Sequence, residues 1–268
     1  MGVGGLGLLF TGTPLAWVVE IGGWRSGYWL LTGLCALSWV LIYVLVHEPA
    51  KALSAPKESW GQAIAGFATL FTLPHTWGIV LLGMSCYASF LSLRGLWLGP
   101  LLMERHQFSL IASGHVALMV SLISLFTPAF FGRLDPGPLR RRQWLPNLSL
   151  LMAFFFLVLG CWPHPVGNIV VIAMMGILSG YSILQYADVR SSYPSQLTGR
   201  ALSLFTMSMF LGVAFMQWFT GVVAAVATQH GIEPYTAVTA TIAVWLGLAS
   251  TAFRCLPHSP LLKPTAQP

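Results

Sequence analysis

Few side chains in this 268-residue sequence are equipped for chemistry, because only 7% of them are charged. Arg94 is the first to consider. It lies in LRGLWLGPLL, 93–102, near the outer third of an apolar run. An arginine at the centre of a helix in hydrocarbon costs about 2.5–3.5 kcal/mol on insertion scales. Either it anchors or gates an anion, or its long side chain snorkels to the interface. His115, inside the next apolar run, can relay protons because imidazole titrates near physiological pH; otherwise it is a hydrogen-bonded packing residue. Tyr87, Ser89, Tyr181, Gln185 and Gln217 are polar residues in apolar surroundings. Tyr181 and Gln185, four apart, share a helical face. Such groups either line a solute pocket or bond one helix to another. Glu20 and Asp188 stand at the ends of apolar runs, and Asp188 is expected to pair with nearby Arg190 at the surface.

The densest charge lies in FGRLDPGPLRRRQWL, 131–145, which holds Arg133, Asp135, Arg140, Arg141 and Arg142. No HExxH, GxSxG or Walker loop occurs anywhere, so neither catalysis nor ATP-driven pumping is expected. Cys35, Cys86, Cys161 and Cys255 form no CxxC. They read as small hydrophobic residues, with no disulfide framework, metal site or cofactor expected.

The elements that must hold these residues follow from composition. Hydrophobic residues make up 56% of the chain and mean hydropathy is +0.75, against roughly 25% charged residues in a soluble domain. A lipid bilayer is therefore the expected solvent. Eight apolar segments approach spanning length: 3–19, 26–46, 76–99, 108–131, 144–161, 166–187, 201–227 and 235–253. Their residues show no period of two, so helices are predicted rather than barrel strands. WGQAIAGFATLFT, 60–72, is too short to span before Pro74 and is expected to lie in the interface. The fold class is an all-α polytopic membrane protein.

The net charge of +6 does not point to nucleic acid, because the basic residues fall in linkers between apolar runs. With the N-terminus inside, Lys51, Lys57, Arg133, Arg140, Arg141, Arg142, Arg190, Arg200, Arg254 and Lys263 share one side, and only Arg25 and Arg105 the other. This asymmetry places both termini in the cytoplasm of a bacterial inner membrane. MGVGGLGLLF has no basic segment or clear cleavage site, so no removed signal peptide is expected.

Four segments together resemble the major facilitator superfamily of secondary transporters. GTPLAWVVEIGGWRSGYWLL, 12–31, resembles the fifth and sixth spans, joined by an outer turn at Gly23-Trp24-Arg25. LRGLWLGPLL resembles the outer end of the seventh, and 131–145 stands in the place of the basic loop between the eighth and ninth. YPSQLTGRALSLFTMSMFLGVAFMQWFTG, 193–221, resembles the entry to the eleventh, with Gly199-Arg200. The resemblance implies residues 1–46 as the last two spans of an N-terminal bundle and 47–75 as a cytoplasmic linker with its short helix. It makes 76–253 a complete C-terminal six-helix bundle and 254–268 a cytoplasmic tail. It also implies gradient-driven transport of a small solute, anionic if Arg94 binds it, with a proton as a coupling ion. The first four of twelve spans have no counterpart, so the alternative is a non-transporting protein of the same ancestry that needs a partner.

In the basic loop Gly132, Leu134, Arg140 and Arg141 match the family's pattern, in which Arg140–Arg142 help to latch the inner side. Pro136 occupies the aspartate position, with Asp135 one place early, and Leu139 replaces the second glycine. Gly12-Thr13-Pro14 lacks the glycine pair of the efflux subset, so export receives no support.

Overall fold

The computed structural model describes residues 13–46 and 60–262, and every regular element among them is helical. Seven helices among these residues are long and apolar enough to cross a membrane. The chain is an all-α integral membrane protein. It divides into two compact units, Met1–Ile64 and Ala65–Pro268.

In the first unit, α1 (Thr13–Leu45) is broken at Gly23, where φ is 77° and ψ 171°. Only glycine adopts that conformation without strain. A side chain on Gly27 would meet those of Val19 and Leu15, eight and twelve residues back. In a straight helix eight residues span about 12 Å, so the chain folds back on itself at Gly23, where the turn was expected. Arg25 sits over the Trp24 ring at 4.8 Å. Of the predicted span 3–19 only residues 13–19 are described. Gly12, Lys51, Lys57 and Lys263 lie outside the described residues.

The second unit begins within the next helix and holds the rest. A short helix α2 (Trp60–Phe71) precedes α3 (Pro74–Ser92). The latter continues through π-helical turns at Leu93–Trp97 and Leu101–Arg105 with a short α segment, Leu98–Pro100, between them. Then come α4 (Leu110–Arg133), α5 (Pro138–Cys161), α6 (Pro165–Leu178), a 3-10 turn Ser179–Tyr181, α7 (Ser182–Ser192), α8 (Ser195–Gln229) and α9 (Pro234–Cys255). Proline occupies the first turn of α3, α5, α6 and α9. Its missing N–H costs nothing there and its fixed φ favours the helix. Ser109 caps α4 by accepting from the Ala112 N–H at 3.2 Å, and Glu233 caps α9 by accepting from Thr236 at 2.8 Å.

The six spans alternate in direction. One end therefore gathers Pro74, Arg133, Pro138, Ser192, Ser195 and Cys255, and the other Arg105, Leu110, Cys161, Pro165, Gln229 and Pro234. The core packs α9 chiefly against α5, and α8 against α3, around Leu82, Met152, Phe156, Phe205, Met216, Leu246 and Phe253. Two glycines set the tightest approaches to another helix's backbone. A methyl on Gly212 would collide with the Met84 backbone, and one on Gly180 with Thr127. Gly176 lies against Val120 and Ile123, so Gly176 and Gly180 present one small-residue face to α4.

One boundary differs from the sequence reading in a way that matters. The span expected from 144 begins at Pro138, and the connection from α4 is only 134–137. Arg140, Arg141 and Arg142 are therefore helical residues of α5, not loop residues. Arg141 and Arg142 are paired inside the unit, while Arg140 stays exposed on the first turn of the helix.

Candidate functional site

Arg94 stands in the π-helical turn 93–97 of the third-helix span. A π turn carries one residue more than an α turn and re-aims the side chains around it. Arg94 reaches sideways: Nε and Nη2 both donate to Ser121 Oγ, at 2.9 and 2.6 Å. Ser121 is buried, lies midway along α4, and passes its own proton to the Ala117 carbonyl at 2.7 Å. The same turn meets α8 on its other side. Trp97 Nε1 donates to Thr220 Oγ1 at 3.0 Å, and Gly95 faces Gln217, whose Nε2 would lie 3.9 Å from a β-carbon there. Arg94 and Gln217 thus flank one turn that joins α3 to both α4 and α8.

Tyr181 and Gln185 belong to a second group, with Cys86 and Ser149. All four are buried, Gln185 to 3% exposure. Cys86 Sγ is 3.0 Å and Tyr181 Oη 3.2 Å from Ser149 Oγ. Ser149 has one proton, which goes to the Leu145 carbonyl at 2.8 Å. It must therefore accept from both the thiol and the phenol. Gln185 neighbours the thiol, yet neither its Nε2 nor its Oε1 has a hydrogen-bond partner. Tyr87 is half-buried and meets Phe210 edge-on at 5.8 Å. His115 is exposed on α4 and joins neither group.

The charged stretch supplies a third group, at the Asp135 end. Asp135 Oδ1 accepts from Arg141 Nε at 2.9 Å and from the Gly137 N–H at 3.1 Å, while Oδ2 accepts from Arg141 Nη2 at 2.5 Å. The Arg141 guanidinium holds this carboxyl below the ordinary aspartate value. Arg141 also donates to Ser191 Oγ at 3.1 Å. Arg142 pairs with Asp188 at 3.2 Å, donates to Ser192 Oγ at 3.0 Å and lies over the Phe253 ring at 4.9 Å. Both arginines and Asp188 are buried, whereas Arg140 and Gly132 are exposed. The expected surface pair of Asp188 with Arg190 is corrected: Asp188 turns inward, where the Arg142 guanidinium compensates its buried carboxylate. Asp135 makes a bidentate contact with Arg141 across the turn at Pro136-Gly137.

A fourth group closes the opposite end and was not legible beforehand. Arg105 donates to the Leu159 and Gly160 carbonyls at 2.9 and 2.7 Å and pairs with Glu233 at 3.1 Å. Carbonyls that end a helix lack intrahelical donors, and a cation there also meets the negative end of the dipole. Tyr235 bonds Glu104, and His106 bonds Asn168 at 2.8 Å. Burial, with Arg105 alongside, holds the His106 imidazole below its ordinary value. The sequence signal was limited to a lone arginine beside a glutamate. Its partners lie 54 and 55 residues away. An apolar cavity of about 710 Å³ between α3, α8 and α9, lined by Leu81, Ser85, Phe219, Val244, Trp245 and Leu248 among others, touches none of the predicted site residues.

This arrangement is a six-helix unit with polar groups at mid-depth and ionic clusters at both ends. A sequence profile described as Major Facilitator Superfamily matches residues 1–217. The chain belongs to the major facilitator superfamily. Among solved structures it is similar to a bacterial homolog to human lysosomal transporter, Spinster, in an inward-facing and unoccupied conformation. The TM-score is 0.55 at 17% identity, a likeness of fold, over 88% of this chain and 60% of that one. The chain thus spans about 60% of the length of the transporter it matches. No curated protein matches it.

Proposed function

We propose that this superfamily member is a secondary carrier of a small anionic solute, driven by a solute or proton gradient, in a bacterial inner membrane with both termini in the cytoplasm. The observation that carries the reading is Arg94. Its guanidinium lies at the mid-level of α4, held by Ser121, which is the depth at which carriers bind their cargo. Tyr87, Tyr181, Gln185 and Gln217 are the polar groups assigned to the solute path. His115 is the candidate for proton coupling. Gly132, Asp135, Arg140, Arg141 and Arg142 are assigned to an inner latch, and the basic excess on that side supports the orientation.

The test is uptake into proteoliposomes. The full chain is reconstituted and challenged with labelled carboxylates and phosphate under imposed proton and solute gradients. Gradient-dependent uptake is expected, falling at least about tenfold in Arg94→Ala, the equivalent of about 1.4 kcal/mol, and partly kept in Arg94→Lys. Equal uptake by Arg94→Ala removes the anion anchor. The share of the solved relative that this chain spans, 60%, keeps a second reading, a non-transporting protein that works with a partner. No flux of any solute from a folded, reconstituted chain would establish it.

A further inference from the structure

We infer that Gln185 recognises an uncharged hydrogen-bonding group of the solute, a hydroxyl or a carboxamide, at the middle of the six-helix unit. The inference rests on the carrier reading for its cargo and on the structure for its chemistry. Gln185 is 3% exposed, and both heteroatoms of its amide lack a partner. The Ser149 hydroxyl, which holds Cys86 and Tyr181 in this group, has no proton to spare. Ser149 gives its proton to Leu145 and accepts from Cys86 and Tyr181, and Ser89 donates to the Cys86 carbonyl at 2.8 Å. A leucine or methionine would fill the same space without an unsatisfied amide. An amide kept at such a cost is explained by a ligand that satisfies it.

The backbone supports the same place. The 3-10 turn Ser179–Tyr181 interrupts the span just before Gln185, and interrupted helices at mid-membrane are where carriers build sites. Cys86 and Ser149 lie about midway along their own spans, so the group sits at one depth on three spans. The ligand class follows from charge. The surrounding groups are a thiol, a hydroxyl and a phenol, all neutral. The nearest acid along the helix, Asp188, is already paired with Arg142. An amide offers two N–H donors and a carbonyl acceptor, which suits a group that both accepts and donates. Its carbonyl would repel a carboxylate.

The experiment is thermal melting of the purified full chain with and without uncharged probes (glycerol, mannitol, glucose, acetamide) and anionic ones (acetate, phosphate). Without probe, Gln185→Met is expected to melt about 2–4 °C higher than the parent; a fall, or failure to fold, overturns the assignment. At least one uncharged probe is expected to raise the parent's midpoint and to lose that effect in Gln185→Met, with a partial effect in Gln185→Asn. No shift from any uncharged probe, or equal shifts in parent and variant, overturns it. Because melting requires no flux, a carrier that moves anions equally well in Gln185→Met would remove this assignment and leave transport standing.

Discussion

At the scale of single residues, the buried pair of Arg142 and Asp188 is the sharpest commitment the fold makes. Both side chains are almost wholly out of solvent, at 4% and 2% exposure, so removing one leaves the other as an uncompensated buried charge. Asp188→Ala should destabilise the chain by about 3–5 kcal/mol. The double replacement Arg142→Met with Asp188→Leu should recover most of that loss, since a buried pair contributes little over an apolar one. Chemical or thermal melts of the two variants check both halves. Asp135 is more exposed, at 26%, and its replacement by asparagine should cost about 1 kcal/mol. Its carboxyl is held below the ordinary value by Arg141, so the contribution is full above the unfolded pKa of about 3.9. It is lost as pH falls through the lower folded value. The stability gap between parent and Asp135→Asn should therefore be constant from pH 5 to 8 and close only in strong acid. None of these pairings was legible in the sequence. Charge types were visible, but Arg142 and Asp188 are 46 residues apart and the neighbour Arg190 was the nearer choice. Gln185 was visible as a polar residue in an apolar run, whereas its lack of partners is a property of packing alone.

At the scale of elements, the six spans of the second unit and the reversal at Gly23 were legible, because long apolar runs have few alternatives in a bilayer. The start of α5 was not. Three consecutive arginines look like a solvated loop until Asp135, Asp188, Ser191 and Ser192 are placed around two of them. The π turns of the third-helix span and the 3-10 turn before α7 leave no mark that hydropathy can register. Helix packing makes its own prediction within a single helix. In α8, Gly212 meets the Met84 backbone, while Gly221 has open space around it. Gly212→Ala must push α8 away from α3 and should cost about 1–3 kcal/mol. Gly221→Ala should be neutral or stabilising by up to about 1 kcal/mol. The melting midpoint should fall in Gly212→Ala and hold or rise in Gly221→Ala, and equal losses would refute the close contact as the cause.

At the scale of the whole molecule, the second unit is tied at both ends, with the unpaired Gln185 amide between them. The Asp135 end joins α5 to α7 and α9 through Arg141, Arg142 and Phe253. The Arg105 end joins the third-helix span to α5 and α9 through backbone carbonyls and Glu233. Ties at both ends suit the rigid-body rocking that the proposed carrier cycle requires. The two ends differ in their basic load, and the difference predicts an orientation. Arg133, Arg140, Arg190, Arg200 and Arg254 belong to the Asp135 end, whereas the opposite end carries Arg105. Positive linkers stay inside, so the Asp135 end should face the cytoplasm. The chain carries its own probes for this. Cys161 and Cys255 are both exposed and close the far ends of α5 and α9, one on each side. With Cys35→Ser removing the other exposed thiol and Cys86 buried, a membrane-impermeant maleimide applied to intact cells should label Cys161 and spare Cys255. Permeabilised cells should show both labelled. Labelling of Cys255 alone in intact cells would invert the topology, and with it the assignment of Asp135 and its arginines to an inner latch.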